Sequence, residues 1–150
     1  MNKKETIALY LRISEEDKRK QEGRNSRSIE GQRMLLTEYV RQHDGLRGRR
    51  MEEFIDDGYS GANFDRPGVR ALFSGAKEGR IGCILVKDLS RFGRNYLEVG
   101  RYLEQIFPRL GIRFISINDH FDSFEGMGAA GSIEVGFRNI LYAAYSTELS

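Results

Sequence analysis

The sequence predicts an α/β fold: a mainly parallel central sheet of four to five strands, flanked by helices and followed by a long C-terminal helix. Three observations carry that reading. Four short runs are rich in apolar and β-branched residues. Segments with helical spacing of apolar residues lie between them, and such alternation is the pattern of strands joined by helical crossovers. The third and fourth runs are almost continuously apolar, as strands covered on both faces are.

The elements follow in order. The first strand is Thr6–Ile13 (TIALYLRI). A polar stretch without an apolar side chain, Glu15–Arg27, reads as a mobile loop. Ser28 is placed to cap a first helix running to His43, with Ile29, Gln32, Leu36, Tyr39 and Val40 at helical spacing. Glu53–Asp57 is the second strand, and Gly68–Glu78 a short second helix with Pro67 at its first position. Ile81–Lys87 is the third strand. Asn95–Leu110 is the third helix, with Val99, Leu103, Ile106 and Leu110 on one stripe and Pro108 bending or fraying its end. Ile112–Asn118 is the fourth strand. A glycine-rich stretch at Gly126–Gly131 then leads into the last helix, which carries Ile133, Phe137, Ile140, Leu141, Ala144 and Tyr145. No stop signal precedes Ser150, so this helix reads as continuing and the chain as a domain cut from a longer protein. The expected division is an α/β core over roughly 6–130 and the start of a long helix over 131–150.

Composition narrows the class. One hundred and fifty residues, 39% of them apolar, suffice for one domain with one core. A single cysteine, Cys83, excludes a disulfide framework and any multi-cysteine zinc site, and suits a reducing cytosol. No apolar run approaches a membrane span. The formal net charge of +2 says little. Its distribution says more: residues 117–137 hold four carboxylates and no lysine or arginine, while arginines cluster elsewhere.

Those clusters fall where strands end. The first strand closes on Tyr10, Arg12 and Ser14; Ser60, Asp65 and Arg66 follow the second; Lys87, Arg91 and Arg94 follow the third. In a parallel sheet these ends share one edge, and ligands bind beyond it. Arg12 and Ser14, two apart, share a face if the strand continues; Arg91 and Arg94, three apart, share one if helical. A hydroxyl among four arginines outlines a phosphate site. Guanidinium forks match phosphate oxygens and stay charged at any working pH. A serine placed there can attack phosphorus while the arginines carry the developing charge.

Other chemistries fit less well. A Ser-His-Asp hydrolase needs a placed histidine, and only His43 and His120 exist. There is no G-x-S-x-G elbow and no Walker A motif. Asp56, Asp57, Asp119 and Asp122 offer carboxylates, but loop carboxylates are usually solvated, so no metal is expected. Singly, each residue also has a plain role: Tyr10 in sheet packing, Gln32 as an exposed polar residue, Asp65 and Arg66 as a local ion pair, Cys83 as a small core residue.

Taken together, four motifs resemble the serine site-specific recombinases, the resolvase/invertase family. Y-x-R-x-S (Tyr10, Arg12, Ser14) is similar to the family's N-terminal signature. S-I-E-G-Q supplies Gln32. D-G-Y-S-G-x-x-x-D-R-P-G supplies Ser60, Asp65 and Arg66. L-V-K-D-L-S-R-F-G-R-N supplies Lys87, Arg91 and Arg94. The resemblance runs from about Thr6 to Ser150. Two departures point to the large serine recombinases of transposons and phage integrases: the long gap between Ser14 and Gln32, and Ser90 where small resolvases carry Asp.

The resemblance implies the rest. Ser14 would attack a DNA phosphodiester, giving a 5′-phosphoserine link and a free 3′-OH, with Arg12, Arg66, Arg91 and Arg94 as catalytic partners. Tyr10, Gln32, Ser60, Asp65 and Lys87 would support them. No high-energy cofactor would be needed, because the ester retains the bond energy, and no metal, because the arginines would carry the phosphate's charge. The partner would be double-stranded DNA, bound by a dimer at each site and a tetramer in the synapse, in a bacterial, nucleoid-associated cytoplasmic setting with no membrane. The last helix would mediate subunit contact, with Glu148 near an acidic position of the family, and lead to a downstream DNA-binding region. The alternative is a non-catalytic phosphate-binding or oligomerisation domain on the same fold.

Overall fold

The computed structural model describes residues 5–14 and 29–124. The expectations for the Glu15–Arg27 loop, the Ser28 cap, the Gly126–Gly131 stretch and the helix to Ser150, Glu148 included, lie outside these residues.

The elements are β1 (Thr6–Ile13), α1 (Ile29–Gln42), β2 (Met51–Asp57), α2 (Pro67–Lys77) and β3 (Ile81–Val86). They continue with α3 (Leu89–Phe92), α4 (Tyr96–Arg101), a π-helical turn (Tyr102–Ile106), α5 (Phe107–Leu110), β4 (Arg113–Ser116) and β5 (Phe121–Asp122). The strands form one five-stranded sheet in the order β2-β1-β3-β4-β5. All pairs are parallel except β4 with β5.

Burial follows the alternation of the strands. Every residue of β1 is buried. Ile7, Leu9 and Leu11 face one layer, against Leu36 and Val40 of α1, Cys83, Leu85 and Ile115. Ala8 and Tyr10 face the other, against Phe54, Val69 and Leu72 of α2, Phe92, Val99, Leu103 and Phe107. Truncating a fully buried leucine such as Leu36 or Leu72 costs about 3 kcal/mol, transfer and cavity together.

From β1 the chain moves outward to β2 through α1 on one face. From β2 it returns past β1 to β3 through α2 on the other face, and α3 to α5 stay on that face on the way to β4. Opposite directions with one crossover hand require opposite faces. The order therefore reverses between β1 and β3, and the crevice beyond their C-terminal ends is the topological switch point, where open α/β sheets bind ligands.

Two expected elements differ. The third helix is not uniform: Phe107 donates its N–H to the Tyr102 carbonyl, five residues back, across the π turn. Pro108 has no N–H to continue the α pattern, and the widened turn absorbs the mismatch. The buried line becomes Val99, Leu103 and Phe107, with Ile106 and Leu110 only partly buried. The fourth strand is four residues rather than seven. It turns through His120, at φ 52°, into the antiparallel edge strand β5. Among the described residues no helix is long and apolar enough to cross a membrane.

Candidate active site

The site begins where β1 outruns β3. Pairing of the two strands stops at Leu9 with Leu85. Beyond that point Arg12 turns its backbone groups to a side chain: its N–H donates to Gln32 Oε1 at 3.1 Å, and its C=O accepts from Gln32 Nε2 at 2.9 Å. Gln32 is fully buried on α1. Its amide replaces the missing rung of the ladder. On the β2 side the Ile13 carbonyl accepts the Gly58 N–H at 2.6 Å. Ser14 follows directly and is half-buried.

The Arg12 side chain lies under the loops after β2 and β3. Nε donates to the Arg91 carbonyl at 2.9 Å, Nη1 to the Tyr59 carbonyl at 3.0 Å and Nη2 to the Ser90 carbonyl at 2.6 Å. Three of five N–H groups are thus engaged, leaving one on each terminal nitrogen. Gly61 closes over this group: a Cβ there would sit 2.8 Å from Arg12 Nη2 and 3.2 Å from Arg94 Nε. The two guanidiniums therefore flank one glycine, which must lack a side chain for both to fit. Arg94 donates its N–H to the Gly61 carbonyl at 2.8 Å, and its Nη2 to Ser60 Oγ at 3.2 Å.

Arg66 is 1% exposed. Nε donates to the Asn63 carbonyl at 2.9 Å, Nη1 to Tyr10 Oη at 2.6 Å and Nη2 to the Phe92 carbonyl at 2.6 Å. Tyr10 in turn donates to Asp56 Oδ2 at 2.7 Å. Sheet packing is thus only part of the Tyr10 role, and burial raises its pKa well above the usual tyrosine range.

The electrostatics are those of cations held together. Burial, then repulsion from Arg66, then from Arg91 and Arg94, pull the Arg12 guanidinium down to about 10, opposed in part by Tyr10. A phosphate bound beside it would relieve that repulsion.

Not every expected residue is placed as its spacing suggests. Arg91 lies within the one-turn α3 and Arg94 beyond its C-cap Gly93, so helical spacing does not relate them. Asp65 is exposed and pairs with Arg70 of α2 rather than with Arg66. Lys87 stands half-buried just past β3, its carbonyl accepting the Asn118 N–H at 2.8 Å. Asp56 and Asp57 belong to one edge strand, while Asp122 belongs to the other, roughly 19 Å away at ordinary strand spacing. They do not form one metal site. Asp122 is paired with Arg113, and Asp119 accepts the Leu89 N–H at 2.7 Å. His43 and His120 lie with Tyr39 and Asp122 around a cavity of about 370 Å³ on the α1 side of the sheet.

Two carboxylates carry structural roles that the sequence does not assign them. Asp88 caps α3, accepting from the Arg91 N–H at 3.1 Å and from Ser90 Oγ at 2.6 Å. An Asp just before a short helical run is a readable cap signal. Asp56 accepts from Tyr10 and from two backbone N–H groups of α2, partners that no local pattern reveals.

A family model described as the resolvase N-terminal domain matches residues 7–143. The chain belongs to the resolvase family. This resolvase domain is also similar to solved structures. The N-terminal catalytic domain of TP901-1 integrase is 26% identical, with 95% of each chain covered and a TM-score of 0.69. A resolvase family site-specific recombinase from Streptococcus pneumoniae is 24% identical, with 97% of each chain covered and a TM-score of 0.63. A serine recombinase from Sulfolobus solfataricus is 24% identical, covering 94% of this chain and 88% of that one, with a TM-score of 0.57. The last two likenesses show the shared fold. No curated protein matches the chain.

Proposed function

We infer that this resolvase domain is the catalytic domain of a large serine recombinase, and that Ser14 cuts DNA. The observation that carries this is the convergence at the switch point: Arg66, Arg91 and Arg94 all lie close enough to Arg12 to repel its charge, where β1 delivers Ser14. Such a cluster holds a phosphodiester without a metal. Arg12, Arg91 and Arg94 take the phosphate oxygens, and Arg66 adds its charge from below.

The Ser14 Oγ–P bond forms as the P–O3′ bond breaks. The 5′ end stays on the serine, and the serine proton ends on the departing 3′-OH. The same field that binds phosphate favours the serine alkoxide, lowering the cost of that proton loss. The 3′-OH of another half-site then reverses the reaction, so no cofactor is consumed. The setting is a homo-oligomer on double-stranded DNA, in cells that move or integrate a DNA element. The chain outside the described residues would carry subunit contact and lead to a DNA-binding region.

The test is strand cleavage and DNA binding measured in parallel for full-length wild type and Ser14→Ala. Loss of cleavage with binding retained is expected. Equal cleavage by the two proteins refutes the nucleophile. Binding without cleavage by the wild type, even with a complete synapse, supports a non-catalytic phosphate-binding domain instead.

A further inference from the structure

We propose that Asp56 is a positioning residue for the arginine cluster, acting through Tyr10 and Arg66 on the loop that carries Arg91 and Arg94. The proposal rests on the functional reading above.

Asp56 is a fully buried carboxylate at the end of β2. Among its hydrogen bonds are three from groups far apart in sequence: Tyr10 Oη donates at 2.7 Å, the Gly68 N–H at 2.7 Å and the Val69 N–H at 3.0 Å. A carboxylate is tolerated in such a place only when its oxygens are satisfied. Two of these donors are orphan N–H groups of the first turn of α2, which its own N-cap residue, Arg66, leaves uncapped by a side chain. Gly68 permits the approach. A Cβ there would lie 2.8 Å from both Asp56 Oδ2 and the Ile55 carbonyl, closer than real Cβ atoms come.

This fixes Arg66 at both ends. Its backbone is the N-cap of the helix that Asp56 holds. Its Nη1 donates to the same Tyr10 oxygen whose proton Asp56 accepts. Tyr10 can donate only one proton, so Asp56 dictates that its remaining lone pairs face Arg66. Arg66 then spends its Nη2 on the Phe92 carbonyl and a longer 3.4 Å bond from Nη1 on the Arg91 carbonyl. The Arg91 carbonyl also accepts from Arg12 Nε. The relay thus runs from β2 through the sheet to the backbone between Arg91 and Arg94.

A merely structural Asp56 would matter for folding and nothing more. A positioning Asp56 makes a different forecast for the full-length protein on its recombination site. In Asp56→Asn the amide cannot accept all these bonds, and single-turnover cleavage should fall ~10-fold or more, with site affinity within ~2-fold of wild type. In an Arg66→Lys background, already impaired, adding Asp56→Asn should cost less than ~2-fold further, because the two act as one unit. Fully additive losses overturn the proposal. So does wild-type cleavage by Asp56→Asn. If Asp56→Asn does not fold, Tyr10→Phe decides: it keeps the helix cap and the ring but removes the relay, and should show the same loss of cleavage with binding kept. Wild-type cleavage by Tyr10→Phe overturns the proposal. Absence of cleavage by wild type itself would instead refute the functional reading.

Discussion

The side-chain amide of Gln32 takes both backbone groups of Arg12, and so finishes β1 two residues before Ser14. β3 has stopped pairing by then, and without the amide a buried N–H and C=O would have no partner. Gln32→Ala should therefore destabilise the domain by about 2 kcal/mol, the typical cost of leaving such groups unmade. Urea unfolding measures this. Gln32→Glu should also be costly, since it keeps an acceptor but loses the donor to the Arg12 carbonyl.

The repulsion among the arginines predicts anion stabilisation. With its folded pKa at about 10, below the ordinary arginine range, Arg12 is charged in both folded and unfolded states at neutral pH. The cost of crowding is then fully present, and it is relieved only as pH rises through about 10. A bound anion should relieve it sooner. Sulfate at ten times its dissociation constant stabilises by about 1.4 kcal/mol, a Tm rise of a few degrees that chloride at equal ionic strength should not match. The rise should shrink in Arg94→Ala and fade above pH 10. Differential scanning fluorimetry in the two salts checks this.

Gly61 marks a tight place in the site. Arg12 cannot yield to a new methyl group without losing carbonyl bonds, so Gly61→Ala should cost about 1–2 kcal/mol in overpacking. It should also slow cleavage more than it weakens DNA binding, because Arg94 is displaced with it. Parallel gel-shift and cleavage rates separate the two effects.

Cys83 is the only cysteine and fully buried in the layer under α1. Burial pushes its thiol up to about 12. Thiol reagents at pH 8 should leave it unmodified in the folded domain and react at once in denaturant. Modification under native conditions would mean that the α1 layer opens.

Much of this was legible in the sequence. The strand ends and the motifs they carry follow from apolar runs and their punctuation, and β1 falls at the limits its pattern sets. Gln32 was visible as a helical residue on the inner stripe; that it is fully buried follows from a backbone need created by β3 ending early, which no single segment reveals. The motif marks Arg66 as a cation near the strand ends; that it donates to Tyr10 Oη and to carbonyls of two loops follows from tertiary packing. Asp56 was hidden for the same reason: Tyr10 lies 46 residues away. The π turn was half legible, since Pro108 announced a disturbance without saying how the helix would absorb it.

The most direct test of Ser14 as nucleophile is covalent trapping. The full-length protein is incubated with DNA carrying the ends of its own element, quenched in denaturant, and the DNA ends are examined for attached protein. Adducts on 5′ ends in the wild type, and none in Ser14→Ala, are the predicted result. Adducts on 3′ ends, or adducts that persist in Ser14→Ala, would contradict it.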